Sequence, residues 1–370
     1  PLAAFWARLA KSPAPVREGA PGAAGKGRLK RLSKVVVLPV AAAALVLLSF
    51  DAGAGTALQV EYYAHHRMWA RVLDEVPELP RRHYGLLANM TVNWALYHAD
   101  RLPYDMFDAW RYPQNRLGLL RGPEEFFSET AEPQPTPLEF MRASDIFLEL
   151  GRVNESEHLA HEALEDLGCR PWVLERLAVV NIVKGRTEVA RTFLAAMSDD
   201  LIYGYRAREW LERLDSDPML SFDREVARLR YLRPAAEDPR RRSVEHLLQA
   251  LLEQNGRNRM AFEYLMAHYL LTGRLEEIVR NIRRLDDFDY LGIPRLYEEA
   301  ILIYMARTGS GVGLGGRTIS EQTRERFRRF AQELDRYGSD LRTARRRLAK
   351  DYGDSYFPYF RFFLQGGTAE

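Results

Sequence analysis

The chain has 370 residues and a formal net charge of +2, and this length allows either two ordinary domains or one elongated repeat array. Hydrophobic residues make up 46% of the chain and charged residues 28%, a balance that supports a folded core and excludes a largely disordered protein. The single cysteine, Cys169, excludes an intramolecular disulfide.

The first 34 residues carry the positive charge of the chain. They hold eight basic side chains and one acidic one, a charge of +7 that leaves −5 for the remainder. The basic balance therefore reflects a short arm and does not indicate a nucleic-acid partner. Residues 11–27 are rich in Pro, Gly and Ala, so we predict a flexible cytoplasmic segment over 1–34. Because the chain begins at Pro1, we expect a fragment or a processed form.

Residues 35–57 predict a transmembrane helix. The run 35–50 contains no charge, and the small residues after Asp51 extend it to about the 30 Å of a hydrocarbon core. The basic flank before it predicts a cytoplasmic N-terminal end, which places the bulk of the chain on the extracytoplasmic side of the cytoplasmic membrane. A cleavable signal peptide and a buried soluble helix are the alternatives. If the native chain starts earlier, this segment is the last of several spans.

Beyond residue 57 the hydrophobic spacing follows the period of α-helices, with almost no strand-like alternation. A Gly-Arg pair recurs in LELGR, IVKGR and LLTGR, and the first two of its glycines are 34 residues apart. Glycine permits a sharp turn after a helix, and the residues seven before and five after it are mostly small or apolar. This spacing predicts close packing of two helices around Gly151, Gly185 and Gly273.

The three hairpins, at about 137–168, 171–199 and 257–287, resemble the tetratricopeptide family, whose repeat is 34 residues long. We therefore predict an all-α fold, with one transmembrane helix followed by an α-solenoid of tetratricopeptide-like hairpins. The predicted organisation is a repeat array over 58–308, a Gly-rich linker over 309–317, and C-terminal capping helices with an aromatic tail over 318–370.

A looser resemblance covers the whole chain. After the hydrophobic segment come the hairpin VEYYAHHRMWARVLDEVP, degenerate repeats, and the aromatic finish GDSYFPYFRFF. Together these resemble the C-terminal half of a family of uncharacterised multi-spanning bacterial membrane proteins. That family has no established function, so the resemblance assigns no role to any residue.

The resemblance to repeat arrays also predicts a partner groove, because the first helix of each hairpin lines a concave surface that binds peptides or loops. Aromatic side chains on such a surface can anchor a ligand, and plain core packing is the alternative. The aromatic tail either folds back on the last hairpin or contacts a membrane or a partner. The predicted groove residues are Trp94, Tyr97, Tyr104, Trp110, Phe147, Asn181 and Tyr269.

Two histidine pairs are candidate metal ligands. His158 and His161 are three residues apart and could share one helical face, but no third ligand follows at a recognisable spacing. His65 and His66 are adjacent, so they point apart on a helix. Solvated surface is the favoured interpretation of both pairs, and we predict no metal and no cofactor.

Three further motifs favour surface roles. The Gly-rich stretch 309–316 lacks the preceding strand and the following Lys-Ser/Thr of a phosphate loop, so it predicts a flexible connector. The arginine clusters 240–242 and 345–347 favour a linker and a helix surface, with contact to lipid headgroups as the lesser option.

No GxSxG, HExxH or Walker motif is present, which favours a non-catalytic module without deciding whether the protein is an enzyme. The leading hypothesis is a membrane-anchored helical-repeat module that binds a protein or peptide. The first alternative is an accessory domain of a multi-spanning membrane enzyme, for example a glycosyltransferase-like one, or of a transporter, with the active site upstream. The second is a soluble or secreted repeat protein after signal cleavage.

Overall fold

A computed structural model of the chain describes residues 51–108, 111–112, 119–120, 135–234, 243–338 and 340–365. Helices and their connections account for these residues, and none of them forms a strand. The prediction of an all-α fold is therefore confirmed. The predicted arm at 1–34 and positions 35–50 of the predicted transmembrane segment lie outside the described residues. No helix in the described ranges is both long and apolar enough to cross a membrane.

Four α-helices and two short 3-10 helices, Val76–Glu78 and Arg81–His83, form the N-terminal part of the described chain. Helix α3 is almost wholly buried and contains three buried polar residues, Asn89, Thr91 and Asn93, among its apolar ones. Helix α1 ends at a turn in which Arg67 has a φ of +55°. Residues 51–57, the end of the predicted transmembrane segment, lead into and begin α1. The bounds are α1 Ala52–His65, α2 Trp69–Glu75, α3 Leu86–His98 and α4 Leu102–Asp105.

The first Gly-Arg motif joins α5, Pro137–Leu150, to α6, Val153–Leu167. Thr136 and Glu139 form a reciprocal capping box at the start of α5, which satisfies two helix-end amide groups. The Ser144 hydroxyl donates to the carbonyl of Ser156 at 2.7 Å. Because these residues lie seven before and five after Gly151, their contact shows that the two helices pack back to back around the turn.

The second Gly-Arg motif follows the same pattern. It joins α7, Pro171–Val183, to α8, Thr187–Ser198, and two further helices follow, α9, Gly204–Ser216, and α10, Arg224–Leu232. Ala178 and Ala190, the pair predicted to pack around this turn, are fully buried in one cluster.

The third motif lies within the C-terminal half. Here α11, Val244–Gln254, precedes α12, Arg259–Thr272, and the turn at Gly273 leads into α13, Leu275–Asn281, which continues as a 3-10 helix, Ile282–Phe288. Helix α14, Arg295–Thr308, completes this region.

The packing order differs from the chain order. Helix α12 contacts α4 and α5, so the third hairpin packs against the helix that opens the first. Asn258 makes one such link, because its amide donates to the Leu150 carbonyl at 2.9 Å at the end of α5. The largest core cluster of the described residues combines α1–α6 with α11–α17, while α7–α10 contribute mainly to three smaller clusters.

The C-terminal helices are α15, Glu321–Tyr337, α16, Leu341–Asp351, and α17, Tyr356–Tyr359, which continues as a π-helical turn, Phe360–Leu364. Two adjacent carboxylates of α14 hold them. Glu298 accepts from the Ser320 amide at 2.7 Å, and Glu299 accepts from the Tyr356 amide at 2.6 Å. The aromatic tail folds back on α12, where the Tyr356 hydroxyl donates to the Leu270 carbonyl at 2.8 Å.

Candidate functional site around Glu149

The predicted groove residues differ in how far they are exposed to solvent. Tyr97 is half-buried, Tyr104 is 39% exposed, and Trp110 lies outside the described residues. The other four are buried, and three of them, Trp94, Asn181 and Tyr269, make polar contacts inside the protein. The amide of Asn181 donates to the Leu177 carbonyl within its own helix at 2.8 Å, and the Tyr269 hydroxyl accepts from Gln249 at 3.0 Å. The buried four are Trp94, Phe147, Asn181 and Tyr269.

Trp94 contacts a buried carboxylate, that of Glu149. Its indole Nε1 donates to Oε2 of Glu149 at 2.8 Å, and Nε2 of His98 donates to the same oxygen at 2.8 Å. The Glu149 side chain is only 3% exposed. Burial opposes its ionisation, but the hydrogen bonds and charges of His98, Trp94 and Arg67 outweigh burial and lower the pKa of Glu149 to about 2. The site therefore contains a buried, ionised carboxylate.

The second oxygen of Glu149 is unsatisfied. Oε1 is buried and accepts no hydrogen bond in the described part of the chain. The nearest guanidinium nitrogens are Nη2 of Arg67, at 3.8 Å, and Nη2 of Arg228, at 4.0 Å. Both distances exceed hydrogen-bond length, and leaving a buried acceptor unpaired costs about 1–3 kcal/mol. The site lacks one donor, which a bound ligand or a small movement of either arginine would provide.

Arg67 reaches the site from a costly backbone conformation. Its φ of +55° is left-handed, which side chains larger than glycine adopt at a cost of about 1 kcal/mol or more. Its guanidinium also pairs with Glu225 of α10 at 2.5 Å. Arg67 and Arg228 are 44% and 43% exposed, so they form a solvent-facing rim above Glu149.

Aromatic rings complete that rim. Trp69 stacks on His98 with a centroid distance of 4.3 Å and an interplanar angle of 5°, and its edge meets Trp94 at 4.7 Å. Tyr97 packs edge-on against His98 at 5.1 Å. Trp69, Tyr97 and His98 are half-buried, so each keeps a surface that a ligand can contact.

A second buried carboxylate, Glu263, also lies near Tyr97. Oε1 of Glu263 accepts from Nε of Arg259 at 2.7 Å and from the Tyr290 hydroxyl at 2.6 Å, whereas Oε2 has no partner among the described residues. Burial raises the pKa of Glu263, against the effect of Tyr290 and Arg259. Burial, and then the charges of Glu263 and Glu149, raise the pKa of Tyr97. Tyr97 therefore lies within electrostatic reach of both carboxylates.

Tyr264 adds a third unsatisfied group. Its hydroxyl is buried without a partner in the described ranges, and its ring lies edge-on to Tyr97 at 6.2 Å. The helices α3, α5 and α12, which are distant in sequence, thus meet at this site. The unsatisfied oxygens of Glu149 and Glu263 and the phenol of Tyr264 are buried there, and half-exposed arginines and aromatic rings form the rim. This combination suits a ligand that carries both hydrogen-bond donors and acceptors.

Neither histidine pair forms such a site. His158 is 57% exposed and lies 3.8 Å from Glu162 on its own helix, and the rings of His65 and His66 are 5.1 Å apart at the end of α1. No group of three potential metal ligands occurs in the part of the chain that the structure describes.

The remaining motifs lie elsewhere. Gly151, Gly185 and Gly273 all adopt left-handed conformations at helix ends. Residues 309–316 connect α14 to α15, and residues 345–347 are exposed on α16, whereas 240–242 lie outside the described residues. A cleft of about 540 Å³ between α10 and α11, which includes Arg233 and Asn255 in its lining, contains no carboxylate and none of the predicted groove residues.

Glu149, His98, Arg67 and Glu263 were not predicted from the sequence. Two of them left a usable signal, because each is a lone acid inside an otherwise apolar run, FLEL for Glu149 and AFEYLM for Glu263. A charge at such a position predicts a buried, paired carboxylate. Arg67 and His98 left no comparable signal.

The sequence led us to expect that the chain belongs to an uncharacterised family, and comparison with known proteins agrees with this expectation. The model of a family of unknown function, DUF6057, matches residues 3–363. No curated protein and no solved structure matches the chain.

Proposed function

The chain belongs to the family of unknown function DUF6057, and we propose that it is a non-catalytic module that binds a segment of a polypeptide partner at the Glu149 site. The observation that carries the proposal is the buried, ionised carboxylate of Glu149, which has one unsatisfied oxygen beneath two half-exposed arginines. Natural proteins rarely leave such a group unpaired, and a ligand that orders the arginines would satisfy it.

The chemistry of the rim favours a peptide. Arg67 and Arg228 offer guanidinium donors, and a peptide carbonyl that accepts from both would fix them above Oε1 of Glu149. Trp69 and Tyr97 offer aromatic surface of the kind that anchors peptide side chains. The positive groups are balanced by Glu149, Glu225 and Glu263, so the site does not select a strongly charged ligand. An uncharged chain of alternating N–H and C=O groups meets all these requirements.

We also propose that the Gly-Arg hairpins are tetratricopeptide-like repeats. The left-handed glycines, the Ser144–Ser156 contact and the buried Ala178 and Ala190 support this. In this proposal, Glu149 and Trp94 belong to helices that line the binding surface of the array. The site would then use the surface on which repeat proteins of this kind hold their peptides.

Peptide selection tests the binding function. A random peptide library displayed on phage is selected against the full chain, and enriched peptides are titrated by fluorescence anisotropy. We expect the double variant Arg67→Ala/Arg228→Ala to weaken binding by roughly tenfold or more, since truncated arginine anchors commonly cost over 1 kcal/mol each. The matched control is Arg280→Ala/Arg328→Ala, which removes two exposed arginines distant in sequence from the site and should leave affinity unchanged.

Two outcomes would contradict the proposal. One is that selection enriches no peptide whose binding saturates. The other is that the enriched peptides bind both double variants equally, while circular dichroism shows both to be folded.

The proposed location is the cytoplasmic membrane, with residues 35–57 as the anchor and the helical array on the extracytoplasmic side. The 16 uncharged residues after a basic flank support it. We expect the chain to stay with membranes during carbonate extraction, and a periplasmic reporter fused after Glu370 to be active. Activity of a cytoplasmic reporter at the same position would reverse the orientation, and extraction into the soluble fraction would rule out the anchor.

A further inference from the structure

Helix α16 presents a continuous basic face. Successive residues of an α-helix are about 100° apart, so the cations at 342, 345, 346, 347 and 350 cover one side, while Ala344 and Leu348 on the other side are buried. Thr343, which is also exposed, lies within the basic side. The exposed cations are Arg342, Arg345, Arg346, Arg347 and Lys350.

These cations lack carboxylate partners, unlike those of the neighbouring helix. On α15, Arg328 pairs with Glu321 at 2.6 Å, and Arg329 pairs with Glu325. Across the ranges that the structure describes, no carboxylate lies within 4.0 Å of any of the five α16 cations. Asp340, at the start of the helix, caps it by accepting from the Thr343 amide at 3.1 Å. The face therefore carries five cations in nine residues, none of them within 4.0 Å of a described carboxylate, although the charge of Asp340 interacts with Arg342 and Arg346 at longer range.

An exposed aromatic ring borders the basic face. The Arg345 guanidinium lies over the ring of Phe363 at 4.5 Å, and that ring stacks on Tyr359 at 5.6 Å. Phe363 is 41% exposed. Aromatic rings beside cations are characteristic of the headgroup region of a bilayer, where the ring meets the apolar boundary and the cations meet phosphates.

We propose that the basic face of α16, together with Phe363, binds the surface of an anionic phospholipid bilayer. Charge complementarity favours this occupant, and the exposed ring favours a surface with an apolar layer beneath its phosphates. A nucleic acid would contact a broader surface, but the chain outside residues 1–34 is net acidic. The proposal goes beyond peptide binding at Glu149 and does not depend on it, because the two sites share no residue.

The test uses the full chain and a local probe, since residues 35–50 could bring the protein to any bilayer. Cys169 is replaced by Ser, Thr343 is replaced by Cys and labelled with an environment-sensitive fluorophore, and vesicles of phosphatidylcholine are compared with vesicles that also contain phosphatidylglycerol. We expect the emission to shift to the blue only with phosphatidylglycerol, and to return at high ionic strength because salt screens exposed charges.

Charge removal measures the contribution of the face. The triple variant Arg342→Gln/Arg346→Gln/Lys350→Gln should weaken the contact roughly 100-fold, at about 1 kcal/mol for each cation near an anionic surface and 1.4 kcal/mol for each tenfold change. The matched control, Arg280→Gln/Arg328→Gln/Arg329→Gln, removes the same charge from α13 and α15 and should retain the response. All six side chains are exposed, so both variants should keep the fold, which circular dichroism checks.

Several results would overturn the proposal. The probe would respond equally to phosphatidylcholine if the contact were not electrostatic. An equal response to glycerol phosphate without vesicles would identify a site for free phosphate. A response to polyglutamate and none to phosphatidylglycerol would identify an acidic polypeptide as the partner. An equal loss in both triple variants would show that net charge, and not the α16 face, is responsible.

Discussion

Replacing Gly151 by Ala is expected to lower the free energy of unfolding by about 3 kcal/mol or more, because the substitution combines two costs. The φ of +95° at this position is left-handed, and a Cβ atom there would lie 2.3 Å from the carbonyl oxygen of Leu232. That oxygen belongs to the backbone at the end of α10, so it cannot move without shifting the helix. Urea denaturation followed by tryptophan fluorescence measures the change.

Gly309 provides the matched control. Its φ of +67° is also left-handed, as is usual at the end of a helix, but a Cβ at this position would meet nothing within 4 Å. Gly309→Ala should therefore cost only about 1–2 kcal/mol for the backbone conformation. Equal losses in the two variants would show that the close approach of α10 to the first hairpin does not contribute.

Replacing Glu149 by Gln is expected to lower the free energy of unfolding at pH 7 by about 3 kcal/mol, on the basis of 1.36 kcal/mol per pKa unit. The pKa of Glu149 falls from 4.5 to about 2 in the folded protein. The ionised carboxylate therefore stabilises the fold above pH 4.5, and this contribution is lost as the pH falls from 4.5 towards 2. The two proteins should accordingly become equal in stability near pH 2.

The difference between the wild type and Glu149→Gln isolates this effect. Burial raises the pKa values of Glu263 and Glu299, whose contributions have the opposite sign, but both proteins contain these residues. Glu188, which is 89% exposed, provides a control, since Glu188→Gln should change stability by less than about 0.5 kcal/mol. A stability difference that persisted unchanged at pH 2 would attribute the role of Glu149 to shape and not to charge.

The local features of the fold were accessible from the sequence. The offsets around Gly151 correctly identified Ser144 and Ser156 as residues that meet across a turn, because helix packing around a glycine turn repeats at fixed spacing. Phe147, Asn181 and Tyr269 each lie four residues before the glycine of their hairpin, and all three are buried. The spacing does not tell whether these residues line a groove. It determines which face of a helix a residue occupies, but not which neighbour covers that face.

The centre of the candidate site was less accessible. Of the predicted groove residues, Trp94 contacts Glu149 directly and Tyr97 packs against His98. The identity of the residues that Trp94 and Tyr97 surround could be learned only from the structure. A lone acid in an apolar run predicts that the acid has a partner, but it does not identify that partner. The exposure of Arg67 also required the structure. Its position depends on a left-handed turn, and no residue type near Arg67 in the sequence indicates that turn.

The sequence by itself determined that the chain forms helices, where the Gly-Arg turns fall, and which faces of those helices are apolar, because each of these follows from the residues within one or two helical turns. Only the tertiary structure decided that α12 packs beside α5, and that Glu149 meets Trp94 and His98, which are 55 and 51 residues away along the chain. It also brought Arg67 to Glu225 across 158 residues. Such contacts depend on how whole helices pack, and local spacing does not contain that information.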